Sequence, residues 1–175
     1  MGTIDVSFAV FIQSTLTTAA REGTRFAITY GSTYNGTSCA TSQASCTSLV
    51  VQSNAVGLPA GLGSSYITVN YYTANNLTTP VMSCNSGICT TNNVCGAGGT
   101  SACTNGSLSV TLSNGKVVNY VNQPGNIVEV VVAGYPWNWL VPIRGYSAGS
   151  GVTLGAASMD VLGALAVGTV SPPNP

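Results

Sequence analysis

The sequence predicts an α+β protein, with one long N-terminal helix packed on an antiparallel β-sheet. Three observations carry this. Phe8, Ile12, Leu16 and Ala20 recur four apart, the spacing of one helix face, and no proline interrupts them. From Ser65 the period drops to two, with Tyr66, Thr68 and Asn70 alternating against Ile67, Val69 and Tyr71. The chain reads helix, shorter helix, then strands, an order that lays helix on sheet.

The first helix is expected from about Thr3 to Tyr30, with Gly31 and Ser32 as its stop. That exceeds the usual length of about 11 to 12 residues, so the helix is expected to run beyond the body of the domain. A polar loop with Cys39 and Cys46 follows. "QASCTSLVVQSNAVG" suits a second, shorter helix through Leu49, Val50, Asn54 and Val56, ended by "GLPAGLG". After the strand from Ser65, residues 75–106 form a Cys- and Gly-rich excursion without a core pattern. A loop of that length fits a compact domain only when cross-linked. "SLSVTLSNGKVVNYV" reads as a hairpin turning at Asn114-Gly115. Ile127 to Ala133 is a strand with Glu129 pointing opposite its valine neighbours, Val152 to Met159 a last strand, and "SPPNP" a tail.

Charged residues make up 5% of the 175, against about 25% in a typical soluble protein. Four acids balance four bases, which argues against steering toward nucleic acid or an anionic membrane. Hydrophobic residues reach 45%, and Ser, Thr, Asn and Gly supply most of the remainder. Uncharged hydrogen-bonding surface of this kind suits proteins that pack against copies of themselves.

The six cysteines, Cys39, Cys46, Cys84, Cys89, Cys95 and Cys103, lie in loop-like sequence, and their even number favours disulfides and an oxidising compartment. The connectivity stays open. A Cys39–Cys46 bridge would contribute roughly 2.5 kcal/mol through its small loop. The last four could in principle hold zinc, but they lack CxxC spacing and the chain has no histidine. Asn35, Asn76 and Asn105 begin glycosylation sequons in expected loops. Residues 1–12 are apolar but interrupted by Asp5, short of the roughly 20 residues of a membrane span. Export therefore implies a segment upstream of Met1.

Catalysis is not expected. "GYSAG" around Ser147 matches the nucleophile-elbow pattern, yet no histidine exists to take the proton and the context is a Gly-rich link. Asp5, Glu22, Glu129 and Asp160 show no paired-carboxylate spacing, and "GAGGTSACTNG" lacks the P-loop lysine. No cofactor, metal or small-molecule substrate is implied. Tyr135, Trp137 and Trp139 form either an aromatic surface platform, for example for sugar, or a rim of core aromatics capping the sheet.

Ala19, Gly23 and Ala27 make a ridge of small residues four apart, the geometry that lets two backbones approach closely. Its partner is either the protein's own sheet or another subunit. Arg21 and Arg25 stand on a neighbouring face, with Glu22 three residues before Arg25.

"IDVSFAVFIQSTLTTAAREGTRFAITYG" resembles the TadE-like family, pseudopilins of the bacterial tight-adherence (Tad/Flp) pilus system. Ala19, Ala20, Arg21, Glu22, Gly23, Arg25 and Ala27 match its AAREGARYA-like signature, and Thr24 and Phe26 are near equivalents. Downstream the resemblance is one of pattern: a Val-rich strand in "IVEVVVAGYPW", a proline, then "VTLGAASM". The resemblance implies that residues 1–31 end an anchoring or polymerising helix and that 32–175 form an exported, extracellular head. Its function would be pilus assembly and surface adhesion, without catalysis, through self-association or other pilus subunits. Membrane contact would come through the segment upstream of Met1. The alternative is a monomeric cell-surface module binding a glycan through Trp137 and Trp139.

Overall fold

The computed structural model describes residues 2–29, 33–34, 37–38, 43–58, 61–72, 77–86, 88–91, 110–111, 117–118, 125–137 and 152–163. Helix α1 spans Gly2–Ile28 and helix α2 spans Gln43–Asn54. Asp5 lies in the first turn of α1 and Arg25 in the last, the polarity that suits the helix dipole. Thr15, Thr17 and Thr18 turn their hydroxyls back onto the carbonyls four residues earlier, so these β-branched residues satisfy themselves within the helix.

A five-stranded sheet carries the rest: β1 Ile67–Tyr72, β2 Met82–Asn85, β3 Ile88–Thr91, β4 Ile127–Trp137 and β5 Val152–Val161. The strands are antiparallel throughout, in the order β3-β2-β1-β4-β5. The first strand starts later than the alternation suggested, because Ser64–Tyr66 form a 3-10 turn before it. Two short pairs, Thr33–Tyr34 with Thr37–Ser38 and Val110–Thr111 with Val117–Val118, stand apart. The second pair has the antiparallel register expected of a hairpin there, while Asn114 and Gly115 lie outside the described residues.

The expectation of a patternless loop over residues 75–106 is corrected by β2 and β3. Val81, Met82 and Cys84 are buried while Ser83 and Asn85 turn outward, a period of two written in residues with weak strand preference. Asn85 pairs with Ile88, so the hairpin connection is tight, and Ser86 takes φ 50° there.

Both helices cover one face of the sheet. Val128, Val130 and Val132 of β4 point to that face and are buried with Ile67, Val69 and Tyr71 of β1. The core they make with the helices has two parts. One joins Ile12, Leu16, Ala19, Ala20, Val51, Val130, Tyr135 and Trp137, and the other joins Ala27, Ala44, Tyr71, Met82 and Leu162. Gln43 is buried against the second part and braces it, its Nε2 donating to the Ala27 carbonyl at 2.8 Å while its Oε1 accepts from Tyr71 Oη at 3.2 Å.

A bulge between Val132 and Tyr135, with Gly134 at φ 75°, carries β4 beyond Ala133 to Trp137. Gly155 sits opposite, where a Cβ would stand 2.6 Å from the Val132 carbonyl oxygen. β5 is the outer strand next to α1. Leu162 N–H donates to Asn126 O in the same register as Val128–Asp160, so Ala157, Met159 and Val161 direct their backbone groups to the outer edge, where no described strand pairs. Side chains blunt both ends of that edge: Gln13 Nε2 donates to Gly155 O at 2.6 Å, and Asp160 Oδ1 accepts from Val161 N–H at 2.7 Å.

Candidate functional site

Three places bear on function. The first is the small-residue ridge. Ala19, Gly23 and Ala27 are buried against the chain's own elements. A Cβ on Gly23 would collide with Val51 Cγ2 of α2, with Val130 Cγ1 at 3.5 Å and Thr47 Cγ2 at 3.6 Å. Glycine is needed because α1, α2 and β4 converge there. Of the two partners that the spacing left open, the protein's own sheet or another subunit, Gly23 meets an internal one, made by β4 together with α2. Ala20 and Thr24 are also buried, and Thr24 Oγ1 donates to Ser158 O at 3.2 Å.

The second is the solvent side of α1, which changes character along its length. Over the last turns it carries Arg21, Glu22 and Arg25, with Arg25 Nη1 and Glu22 Oε1 3.2 Å apart. Over the first turns it carries Ile4, Val6, Phe8, Val10 and Phe11, all exposed, Val10 by 63%. Phe8 stacks on Trp137 with ring centroids 6.4 Å apart, and a Cβ on Gly57 would stand 3.3 Å from the Phe11 ring. Val56, also exposed, extends the apolar surface beside that turn. A helix apolar all round normally has cover on every side. No helix among the described residues is long and apolar enough to cross a membrane.

The third is the sheet face opposite the helices. Glu129 is half-buried in its middle. Its Oε2 accepts from Tyr72 Oη at 2.7 Å and from Asn70 Nδ2 at 2.9 Å. Burial, then the neighbouring Glu129 carboxylate, pushes the Tyr72 hydroxyl up to about 12. Sequence placed Glu129 on this side through its alternation with Val128 and Val130. Its two partners were not foreseen, because they come from β1 across the sheet.

The aromatic platform is corrected in part. Tyr135 and Trp137 belong to the core, Trp137 being only 4% exposed, and Tyr66 meets Tyr135 edge-on at 6.0 Å. This is the core-rim arrangement, set by burial of alternate residues on β4. Trp139 lies outside the described residues, as do Ser147, Asn35, Asn76, Asn105, Cys39, Cys95 and Cys103, and so does the side chain of Cys89. Cys46 and Cys84 are disulfide-bonded, and no described cysteine is free. No cluster of metal-ligating side chains occurs among the described residues. Comparison of the chain with protein families, curated proteins and solved structures finds no match.

Proposed function

We propose that the chain is a non-catalytic, pilin-like structural subunit of an extracellular filament, acting in assembly and surface adhesion as TadE-like proteins do. The exposed apolar end of α1 carries this reading. Ile4, Val6, Phe8, Val10 and Phe11 stand open at one end of a helix whose other end is charged and fully docked. In a filament, neighbouring subunits cover that end, and before assembly a membrane covers it through a segment upstream of Met1. Bonded Cys46 and Cys84 support an oxidising compartment and a head stapled by disulfides.

The test compares the native chain with Ile4→Ser/Val10→Ser. Both positions are exposed, so the variant keeps its melting temperature. Sedimentation and electron microscopy are expected to show assemblies for the native chain and monomers for the variant. A native chain that sediments as a monomer at every concentration, with or without phospholipid vesicles, would sink this reading.

A further inference from the structure

The chain has so few charges that each described one can be followed. Glu22 and Arg25 pair with each other on α1. Asp160 accepts from the backbone of its own strand, and Asp5 is buried in the first turn. Arg21 and Glu129 remain, and neither makes an ion pair among the described residues. Their settings are complementary. Arg21 is exposed on the solvent side of α1. Glu129 is half-buried, held in one direction by two neutral donors on Oε2, while Oε1 accepts from no described residue.

A carboxylate that has lost part of its hydration to a sheet face is costly until a strong donor completes it. Guanidinium suits that role best, because its planar donors match a fixed carboxylate. Arg21 cannot reach Glu129 within one chain. α1 lies on the face to which Val128 and Val130 point, and Glu129 projects from the other.

We propose that Arg21 of one copy of this chain pairs with Glu129 of the next, joining the solvent side of α1 to the outer face of the sheet. Met159, directly across β5 from Glu129 and 45% exposed, supplies apolar surround that shields the pair from water. The two surfaces differ, so the contact is heterologous. Each added copy leaves one Arg21 and one Glu129 free, and growth continues into a ring or filament rather than stopping at a dimer. This inference rests on the filament reading and supplies one contact of that filament.

A charge swap tests it. Arg21→Glu and Glu129→Arg each set like charges against each other and raise the concentration for half-assembly by about tenfold or more. Mixing the two single variants, or combining both changes in one chain, restores assembly to near the native concentration. Raising the salt weakens native assembly in the same direction. Should Glu129→Arg fail to fold, Arg21→Glu with Glu129→Gln replaces it: Glu129→Gln alone weakens assembly, and Arg21→Glu is then less harmful in that background. If the native chain assembles and the swaps do nothing, or impair it without rescue, the pairing is refuted while the filament reading stands. A native chain that never assembles overturns both.

Discussion

Replacing Gly23 by alanine isolates the convergence of α1, α2 and β4. Two effects oppose each other. Alanine in a helix interior is favoured over glycine by about 1 kcal/mol. The added Cβ would collide with Val51 Cγ2 and come to 3.5 Å from Val130 Cγ1. Val51 is fully buried within α2 and, as a β-branched residue in a helix, has essentially one side-chain rotamer, so it cannot swing away. Overpacking of this kind costs about 1 to 3 kcal/mol. The net expectation is a loss of about 1 kcal/mol, a fall in Tm of about 2 to 4 °C for a chain of this size. Val51→Ala costs about 2 kcal/mol by itself through lost burial. It also removes the colliding methyl, so Gly23→Ala in that background stabilises by about 1 kcal/mol. Urea unfolding of the oxidised protein, followed by circular dichroism across the four-member cycle, reads the coupling of about 2 kcal/mol. If Gly23→Ala stabilises the native background as much as the Val51→Ala background, the close approach does not constrain the fold and the reasoning is wrong.

Other expectations follow from single sites. Gly155→Ala meets the Val132 backbone rather than a side chain, so it destabilises by about 2 to 3 kcal/mol, and no side-chain truncation nearby rescues it. Tyr72 keeps its proton in the fold to about 12, whereas the unfolded chain releases it near 10. The folded state therefore binds more protons between those values. Its contribution is whole below pH 10 and is lost as pH rises toward 12, at most about 3 kcal/mol. Tyr72→Phe is expected to flatten the alkaline arm of a stability profile, and an unchanged arm would count against the Tyr72–Glu129 arrangement. Arg25→Ala removes only an exposed pair with Glu22 and changes stability by less than about 0.5 kcal/mol, measurable by the same urea titration.

The body of α1, β1 and the first half of β4 were legible because their apolar residues keep period, whereas Phe8, at the start of the helix series, and Leu49 and Val56, read as part of the second helix, are exposed. Ile12, Leu16 and Ala20 are buried as their spacing implied, and the alternation of Ile67, Val69 and Tyr71 marks the inner face of β1. The β2–β3 hairpin was not legible. Its inward positions are Met82 and Cys84, its neighbours are Ser, Asn and Thr, and cysteines read more readily as cross-links than as core. The ridge of Ala19, Gly23 and Ala27 announced a close approach, but spacing along one helix does not identify what approaches. Val51 had to come from α2 and Val130 from a strand more than a hundred residues downstream. Tyr135 and Trp137 looked separable from the Val-rich strand because Gly134 and Pro136 break its pattern. The bulge lets the strand continue through them. The bonds to Glu129 were hidden for a similar reason, since pairing between β1 and β4 fixes Asn70 and Tyr72 beside it.

The caps on β5 have a consequence for what this chain can join. With Gln13 occupying the Gly155 carbonyl and Asp160 the Val161 amide, the outward backbone groups between Gly155 and Val161 that no described residue engages are chiefly those of Ala157 and Met159. A bare strand edge accepts any extended segment, because every polypeptide offers the same amides and carbonyls. A window this short gives an intruding strand little to hold, and in a protein nearly without charge there is no electrostatic repulsion to do that job instead. Association is left to surfaces where side chains differ from one protein to the next, so the same two polar side chains that tidy an edge also restrict whom the molecule will accept as a neighbour.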